Sequence, residues 1–541
     1  SALCAERSAR GPGAIGFVEV DDDAGTISAW LELETKVARG VARVTLRGGG
    51  GGEAEDRCAV LFTSMRELKG HEEPIGGRRP LGHELRASPK ASGEAAAGRG
   101  GAAQEPYVLV VGGSQSGLMI GARLKRLGVP FLVVERNARP GDTWRNRYGS
   151  LHLHDPIWAC QLPYQAFPEH WPVFLSKDQF ADWLDAYAKA MDVDFQGGTE
   201  VMKASFDTAP NRWTVEVRVD GAETQVLRPA HLVLAVGNCG SAKVPELPGM
   251  DGFMGESMHS SLFRGCAGAG DVQWRGRRCV VLGSNTSAHD VAQDLYENGA
   301  NVTMLQRSPT CVLPTERMRE LAASGGYSEE ASARGVEPAE ADLAGAATPY
   351  ALRLPEMQRW VKELKARDAE YYARLERVGW RQTWGEDDSG PYMMFVRTFR
   401  GYYFDIGASE LVMEGKVKLC SDANVAEVRP HSILLADGCE IPCDLLVLAT
   451  GYNNMTDLVA KLISPEVAQA VGPCWGLGSG TAGDPGPWIG EERNMWRPTA
   501  QPGLWFQGGN IGMCRFHSLH LALQLKARFE GICTEPLRLA A

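Results

Sequence analysis

The chain has 541 residues, of which 44% are hydrophobic and 23% charged, a composition typical of a globular protein with two or three domains. Its formal net charge of −11 excludes a general affinity for nucleic acid or for an anionic membrane surface. Apolar runs stay shorter than the ~18 residues of a membrane span, and the 13 cysteines show no paired spacing, so we expect reduced thiols in a cytoplasmic protein. The N-terminus lacks a signal-peptide core. Because the chain begins with Ser1 and not with Met, we expect a fragment or a processed form.

Residues 1–87 are predicted to form a β-rich segment. Ile27, Ala29, Leu31 and Leu33 alternate with Ser28, Trp30, Glu32 and Glu34, and further strand patterns follow at 42–46 and 58–63. Such alternation is typical of an antiparallel sheet with one face in water. The segment shows no catalytic pattern, so we expect a structural appendage. Residues 88–105, rich in Ala, Gly, Ser and Glu, are predicted to be a linker.

Residues 107–135 predict a dinucleotide-binding βαβ unit. A strand at 107–111 leads into a glycine-rich turn and an amphipathic helix, and a second strand at 131–134 closes on Glu135. Such a turn directs backbone N–H groups and the positive end of the helix toward a pyrophosphate, and the acid can hold both ribose hydroxyls of FAD or NAD. The candidate cofactor-binding residues are Gly112, Gly113, Ser114, Gln115, Ser116, Gly117, Glu135 and Arg136.

The loops after this unit carry three further candidates for cofactor binding, Thr143, Trp144 and His154. Large aromatic side chains in a loop usually have a binding or a packing role. They either stack on or hydrogen-bond to a flat ring or anchor the loop in the protein interior, and both interpretations stay open. A capped amphipathic helix is predicted at 174–190.

Residues 277–307 repeat the order of strand, glycine loop, helix and strand. The predicted helix runs from His289 to Glu297, and the second strand ends near Arg307 instead of an acid. A cation at this place accommodates the extra phosphate of NADP. Two units in this order, with opposite charges at their ends, indicate FAD in the first and NADPH in the second. The candidate residues are Gly283, Asn285, Thr286, Ser287, Ala288 and Arg307.

Both loops lack the middle glycine of the G-x-G-x-x-G motif. Ser114 directs a Cβ atom toward the expected path of the pyrophosphate, and Asn285 replaces the glycine of the second loop. Whether these two residues weaken cofactor binding stays open. They are the only support for one alternative, a catalytically lapsed cofactor-binding protein that serves as an interaction module.

The rest of the chain adds few chemical groups. Residues 322–347 are interpreted as an exposed insertion, helices are predicted from 356 to 378, and an aromatic-rich stretch follows at 392–404. A strand at 444–452 supplies the cofactor-binding candidates Thr450 and Gly451, and Asn510 precedes a helix predicted at 518–529. No C-x-x-C follows either glycine loop, so disulfide-reductase chemistry lacks its residues, and no metal site is expected.

Together these features resemble the flavin-containing monooxygenases over residues 105–535. The family's fingerprint, F-x-G-x-x-x-H-x-x-x-Y/F, is present as Phe253, Gly255, His259 and Phe263 between the two glycine loops, and its L/F-A-T-G-Y element is present at 448–452. Baeyer–Villiger monooxygenases have a similar fingerprint that ends in Trp-Pro or Trp-Asp, whereas this one ends in Phe263-Arg264. Residues 153–178 are most similar to the fungal and plant-like branch, related to the YUCCA-type indole-3-pyruvate monooxygenases.

The resemblance implies an α/β fold with two Rossmann-like domains and an N-terminal β-rich segment similar to part of an NTF2-like fold. Residues 106–265 and 413–541 would form the FAD-binding domain, and 266–412 the NADPH-binding domain. NADPH would reduce FAD, and a flavin hydroperoxide would insert one oxygen atom into an amine, a sulfur compound or a 2-oxo acid. His259, the catalytic candidate, would position the NADP half against the flavin. A structural role, in which His259 caps the linker turn, stays open.

One alternative is a Baeyer–Villiger oxygenase of ketones, the same machinery with another substrate. We expect a small-molecule substrate and O2 as partners, no nucleic acid and no transmembrane segment, and we allow for a homodimer.

Overall fold

The computed structural model describes residues 18–21, 26–47, 57–82, 105–238, 240–266, 273–481 and 483–532. Most of the linker predicted at 88–105 lies outside these ranges. The described part is a mixed α/β protein with two five-stranded parallel sheets, each with a glycine loop at its carboxyl edge. Within the described residues, no helix is long and apolar enough to cross a membrane.

The first parallel sheet contains the first predicted βαβ unit. Its central strand is apolar and buried along its whole length, as expected for a parallel strand covered on both faces. Helix Gln115–Arg126 connects this strand to the next, as predicted. In spatial order the strands are Leu504–Phe506, His231–Leu234, Val108–Val111, Phe131–Val134 and Phe195–Gln196.

The second parallel sheet contains the second predicted βαβ unit. Helix Thr286–Glu297 begins directly after the glycine loop, three residues before the predicted start at His289. In spatial order the strands are Glu256–His259, Leu445–Leu448, Arg278–Leu282, Asn301–Gln306 and Lys418–Ser421.

The sheets do not follow the predicted domain limits at 265/266 and 412/413. Strands Glu256–His259, Lys418–Ser421 and Leu445–Leu448 were expected in the FAD-binding domain, yet all three pair within the second sheet. The reason is that these strands pair with partners that are distant in the sequence. Leu446, for example, pairs with Val280 on one side and with Ser257 on the other. Periodicity within a single strand carries no information about such partners.

Smaller sheets and helices complete the body. Three antiparallel strands pack on one face of the first sheet, and three others pack on one face of the second. One parallel pair of strands lies beside the second glycine loop. Their strands are Thr199–Asp207, Arg212–Val219, Glu223–Leu227; Val425–Arg429, Ser432–Leu435, Glu440–Pro442; and Cys311–Pro314 with Tyr402–Asp405. The remaining helices are Asp142–Arg145, Lys177–Ala190, Thr315–Ser324, Glu329–Ala333, Pro338–Ala346, Tyr350–Arg367, Ala369–Arg377, Gly390–Thr398, Ala408–Met413, Met455–Leu462, Pro465–Val471 and Ile511–Phe529.

The N-terminal strands form the predicted antiparallel sheet, but its faces are reversed. Trp30 is only 3% exposed and packs with Val41 against the helix Pro338–Ala346, whereas Ile27 and Leu31 are 44% and 47% exposed. The bulk of Trp30 decides the orientation, because a tryptophan offers more apolar area for burial than any other side chain. The strands are Val18–Asp21, Thr26–Glu34, Ala38–Arg47 and Arg57–Leu68.

The insertion at 322–347 is not the exposed segment that its composition predicted. Leu343 is 3% exposed beneath the N-terminal sheet. On the same helix, Asp342 accepts two hydrogen bonds of 2.7 Å from the Arg515 guanidinium, and both side chains are buried. The insertion therefore joins the N-terminal sheet to the C-terminal helix Ile511–Phe529.

Candidate functional site

The first glycine loop is a tight turn that the backbone itself requires. Gly112 has φ of +109°, and a Cβ atom there would lie 2.6 Å from the carbonyl oxygen of Ala235 on the neighbouring strand. At Gly117 a Cβ would lie 1.8 Å from the oxygen of Gly112. These contacts hold the start of helix Gln115–Arg126 directly against the carboxyl edge of the sheet.

Ser114, the departure from the motif, is not strained. Its φ of −92° and ψ of −164° are an extended conformation that any residue adopts. Its hydroxyl donates to Gln115 Oε1 over 2.5 Å, and Trp144 Nε1 donates to the same oxygen over 3.0 Å. Gln115 therefore ties the loop to Trp144, which the sequence named only as a candidate without a partner. Ser116, within the loop, is buried, and its hydroxyl donates to the Ala235 carbonyl over 3.3 Å. Thr143 is exposed.

Glu135 lies at the end of the second strand, 6% exposed, and its carboxylate is bonded to the loop. Oε2 accepts from the N–H of Gly113 over 2.7 Å, and Oε1 accepts from the N–H and the side-chain amide of Asn137 over 2.9 and 2.6 Å. The acid therefore stabilises the turn. Arg136, the next residue, is exposed.

The second glycine loop has the same backbone path. Gly283 has φ of +136°, and a Cβ there would lie 2.3 Å from the oxygen of Ala449. Asn285 is extended, with φ of −92°, a conformation that any residue adopts. Thr286 Oγ1 donates to the carbonyl of Tyr402 over 3.2 Å, Ala288 is fully buried, and Ser287 is partly exposed between them.

The helices of both loops begin without a side-chain cap. Ser114 and Asn285 are residue types that cap helices, yet neither side chain accepts a backbone N–H. Elsewhere Ser176 and Asn454 form complete capping boxes. The first N–H groups of the two loop helices therefore lack an acceptor from their cap residue, and with the helix dipole they suit an anion. This arrangement fits the pyrophosphates of FAD and of NADPH.

Arg307 follows the last strand of the second unit and is exposed. Among the described residues it has no carboxylate within ion-pair distance. An exposed guanidinium without an internal partner keeps its donors for a ligand, as the predicted contact with a 2′-phosphate requires.

The fingerprint residues shape the connection between the two glycine loops. A Cβ atom at Gly255 would lie 2.5 Å from the Phe253 ring and 2.6 Å from the oxygen of Asp444, so only glycine fits beside strand Leu445–Leu448. Phe263 is 2% exposed and packs near Tyr148. The motif is therefore explained by packing at two of its four positions.

His259 is 3% exposed at the end of strand Glu256–His259. Its Nε2 donates to the Gly451 carbonyl over 2.9 Å, so Nδ1 is the acceptor for the hydroxyl and the N–H of Ser261, at 2.9 and 3.1 Å. Burial lowers the pKa of His259. The neutral imidazole has hydrogen bonds at both nitrogens, and its bond to Gly451 positions the 450–452 loop.

The 450–452 loop is a junction between the two units. The hydroxyl of Thr450 donates to the Lys243 carbonyl over 2.5 Å, and the Lys243 N–H donates to Gly451 over 3.0 Å. Lys243 belongs to the segment that leaves the first sheet after strand His231–Leu234. Gly451 thus accepts from both His259 and the connecting segment, which brings these predicted site residues together.

Two other candidates have contacts of their own. His154 contacts an aromatic group, with ring centroids 6.1 Å from Tyr402 and 5.5 Å from Phe404. Asn510 caps the C-terminal helix by accepting from the Met513 N–H over 2.9 Å. Their contacts with a cofactor stay predictions.

The sequence did not identify Tyr148 and Asp290. The Tyr148 hydroxyl donates to Asp290 Oδ2 over 2.6 Å, from a loop of the first unit to the glycine-loop helix of the second. An acid in the second turn of that helix was a visible signal, but its partner is 142 residues away. Within the described residues, no group of three or more His, Cys, Asp or Glu side chains is placed to hold a metal ion.

Known proteins with similar sequences are oxidoreductases. The family described as "Pyridine nucleotide-disulphide oxidoreductase" matches residues 109–317. Rice "Indole-3-pyruvate monooxygenase YUCCA1" is 33% identical over 350 residues, which cover 64% of this chain and 77% of that protein. Arabidopsis thaliana "Probable indole-3-pyruvate monooxygenase YUCCA9" is 31% identical, with 64% and 75% covered.

Solved structures show the same fold at lower identity. A structure titled "OTEMO complex with FAD and NADP" has a TM-score of 0.55 and 18% identity, covering 79% of this chain and 85% of that one. A double mutant of the flavin monooxygenase from Stenotrophomonas maltophilia has a TM-score of 0.51 and 17% identity, covering 78% and 98%. At this identity the likeness shows the arrangement of two dinucleotide-binding domains.

Proposed function

The chain belongs to the flavin-containing monooxygenase family, and we propose that its substrate is an aromatic 2-oxo acid. The protein is an NADPH-dependent flavin monooxygenase with a small-molecule substrate and O2 as its partners. When bound, FAD reduced by NADPH supplies the activation of O2. The protein's own residues bind and orient the two dinucleotides and exclude water.

The proposed binding roles rest on one observation, the two uncapped helix starts at the carboxyl edges of two parallel sheets. The loop 112–117 holds the FAD pyrophosphate, and Glu135 offers its remaining lone pairs to the ribose. The loop 283–288 holds the NADPH pyrophosphate, and Arg307 binds the 2′-phosphate. These ligands suit the loops because N–H groups at a helix start bind anions without desolvating a charged side chain.

The substrate class is supported by the aromatic surroundings of His154. Tyr402 and Phe404 lie beside it, and Phe395 extends the group to Trp475, with ring centroids 5.3 Å apart. Flat rings favour an aromatic ligand through stacked and edge-on contacts. The relatives' printed names, which specify indole-3-pyruvate, agree with this class.

A substrate panel tests this proposal. NADPH consumption, peroxide release and ¹⁸O incorporation from ¹⁸O2 are measured with indole-3-pyruvate, phenylpyruvate, pyruvate, a tertiary amine, a thioether and cyclohexanone. We expect the aromatic 2-oxo acids to stimulate consumption and to gain one labelled oxygen atom. Labelled product from cyclohexanone alone would contradict the substrate class and favour the ketone oxygenase.

His259 is proposed as a positioning residue, because its bonds fix the junction at Gly451. In a His259→Ala variant we expect NADPH still to reduce FAD, with more hydrogen peroxide released per turnover and less product. His170→Ala, an exposed histidine, is the control. Anaerobic reduction is measured beside aerobic peroxide yield, and slow reduction with unchanged peroxide would instead make His259 a hinge residue.

A further inference from the structure

Residues 144–154, here called the strap, leave the first nucleotide unit and enter the second. At one end Trp144 is bonded to Gln115 of the first glycine loop. Further along, Tyr148 and Leu151 are buried in the hydrophobic core of the second unit, together with Val291 of the second loop helix. The strap therefore connects the two glycine loops independently of the 450–452 junction.

A single polar contact fixes the strap at its deepest point. Tyr148 is 1% exposed, and its hydroxyl donates to Asp290 over 2.6 Å. Burial and this carboxylate raise the pKa of Tyr148 well above its usual range, so the phenol stays a donor. Asp290 belongs to helix Thr286–Glu297, less than two turns from the uncapped helix start.

Asp290 is surrounded by groups from two elements. The strap places Arg147, His152 and His154 near it in addition to Tyr148, and strand Tyr402–Asp405 contributes Tyr403. Loss of hydration raises the pKa of Asp290 to about 6, although the Tyr148 hydrogen bond and the neighbouring side chains of the strap lower it. The carboxyl group is therefore largely neutral below this pH and ionised above it.

We propose that Tyr148 and Asp290 are positioning residues for the coenzyme phosphates, through which the strap sets the charge near the start of helix Thr286–Glu297. This inference rests on the proposed role of that helix start as the NADPH site. An ionised Asp290 lies in the second turn of the helix whose start would bind the pyrophosphate, and like charges in a partly dehydrated place repel each other. A neutral Asp290 removes that repulsion while its bond to Tyr148 keeps the strap in place.

The consequence is a pH dependence of coenzyme binding with a defined sign. As the pH rises through about 6, Asp290 loses its proton and the affinity for NADP⁺ falls. The 2′-phosphate acts in the opposite direction, because its second pKa is also near ~6 and its greater charge favours Arg307. The effect of Asp290 must therefore be measured as a difference between variants that share the same ligand.

The test measures the dissociation constant of NADP⁺ on the FAD-loaded oxidised protein at pH 5.5 and 7.5 by calorimetry. Asp290→Asn keeps the shape and removes the charge. Asp294→Asn is the matched control, since Asp294 lies one turn further on the same helix and accepts from the Cys266 N–H over 3.0 Å. Between the two pH values we expect the wild-type constant to rise about three- to tenfold relative to Asp290→Asn, while Asp294→Asn follows the wild type.

Tyr148→Phe tests the other partner. Without the phenol, the carboxylate loses the donor that stabilises its charge, so the midpoint of the pH dependence should move to higher pH. Tyr187→Phe is the control, because within the described residues the buried Tyr187 hydroxyl has no hydrogen-bond partner.

Two results would overturn the inference: equal pH dependence in wild type and Asp290→Asn, or a Tyr148→Phe profile that matches Tyr187→Phe. A wild-type protein that holds FAD but binds no NADP⁺ at either pH would instead overturn the proposed coenzyme site itself.

Discussion

The first glycine loop ends in Gly117, whereas the second has Ala288 at the corresponding position. In the first loop a Cβ would lie 1.8 Å from the Gly112 oxygen, but in the second the Ala288 methyl group is accommodated and fully buried. The first turn is therefore the tighter of the two. Its last glycine is required by the backbone, independently of any ligand.

The residues that end the two units differ in a second way. Glu135 is buried and accepts three hydrogen bonds from its own unit, while Arg307 is exposed and, among the described residues, has no ion-pair partner. The charge of the first unit thus contributes to the fold, and the charge of the second is available to a ligand. Substitutions in the first unit should affect stability, and those in the second mainly affect coenzyme choice.

The largest effect is expected from Gly117→Ala. The added methyl group overlaps a backbone oxygen that cannot move without breaking the turn, so we expect a loss of ~3 kcal/mol or more and a protein without FAD. Ala288→Gly, the reverse change in the second unit, should cost only about 1 kcal/mol. Urea unfolding and flavin content measure both effects, and equal losses would show that the two turns are equally tight.

Glu135→Gln is expected to cause the second-largest loss of stability. An amide in place of the carboxylate leaves either Gly113 or Asn137 facing another donor, at a cost of about 1.5–3 kcal/mol. Arg307→Gln, the control at the second unit's end, should change stability by less than about 0.5 kcal/mol. The measurement is the free energy of unfolding of the FAD-free proteins. A Glu135→Gln value equal to that of the wild type would show that the acid acts only in ligand binding.

Arg307→Ala tests whether the charge at the end of the second unit selects NADPH over NADH. Loss of charge-assisted hydrogen bonds to the 2′-phosphate should raise the Michaelis constant for NADPH about ten- to a hundredfold. The constant for NADH should hardly change, because NADH lacks that phosphate. Equal losses with both coenzymes would place the discriminating cation elsewhere.

The smallest effects are expected from replacing Ser114 and Asn285, the two departures from the motif, by glycine. Ser114 and Asn285 have ordinary backbone angles, so their replacement by glycine relieves no strain. If the Ser114 Cβ crowds the pyrophosphate, Ser114→Gly should tighten FAD binding by less than about tenfold, and Asn285→Gly should leave FAD binding unchanged. Titration with FAD measures both, and an unchanged Ser114→Gly affinity would show that the loop has adapted.

The sequence predicted what depends on local pattern. Both βαβ units were identified because glycine positions and apolar periodicity mark them directly. The partners of Glu256–His259 and the Tyr148–Asp290 bond could not be predicted, since strand pairing and contacts between distant segments leave no periodic signal. Trp30 was assigned to the wrong face because alternation alone does not show which set of side chains meets a neighbour.

The assignment of FAD to the first unit and NADPH to the second can be tested by anaerobic reduction. The purified protein is loaded with FAD and mixed with NADPH or NADH while the visible flavin absorbance is followed. We expect complete bleaching by NADPH and much slower bleaching by NADH at equal concentration. A protein that takes up no FAD, or one reduced equally fast by both coenzymes, would contradict the assignment.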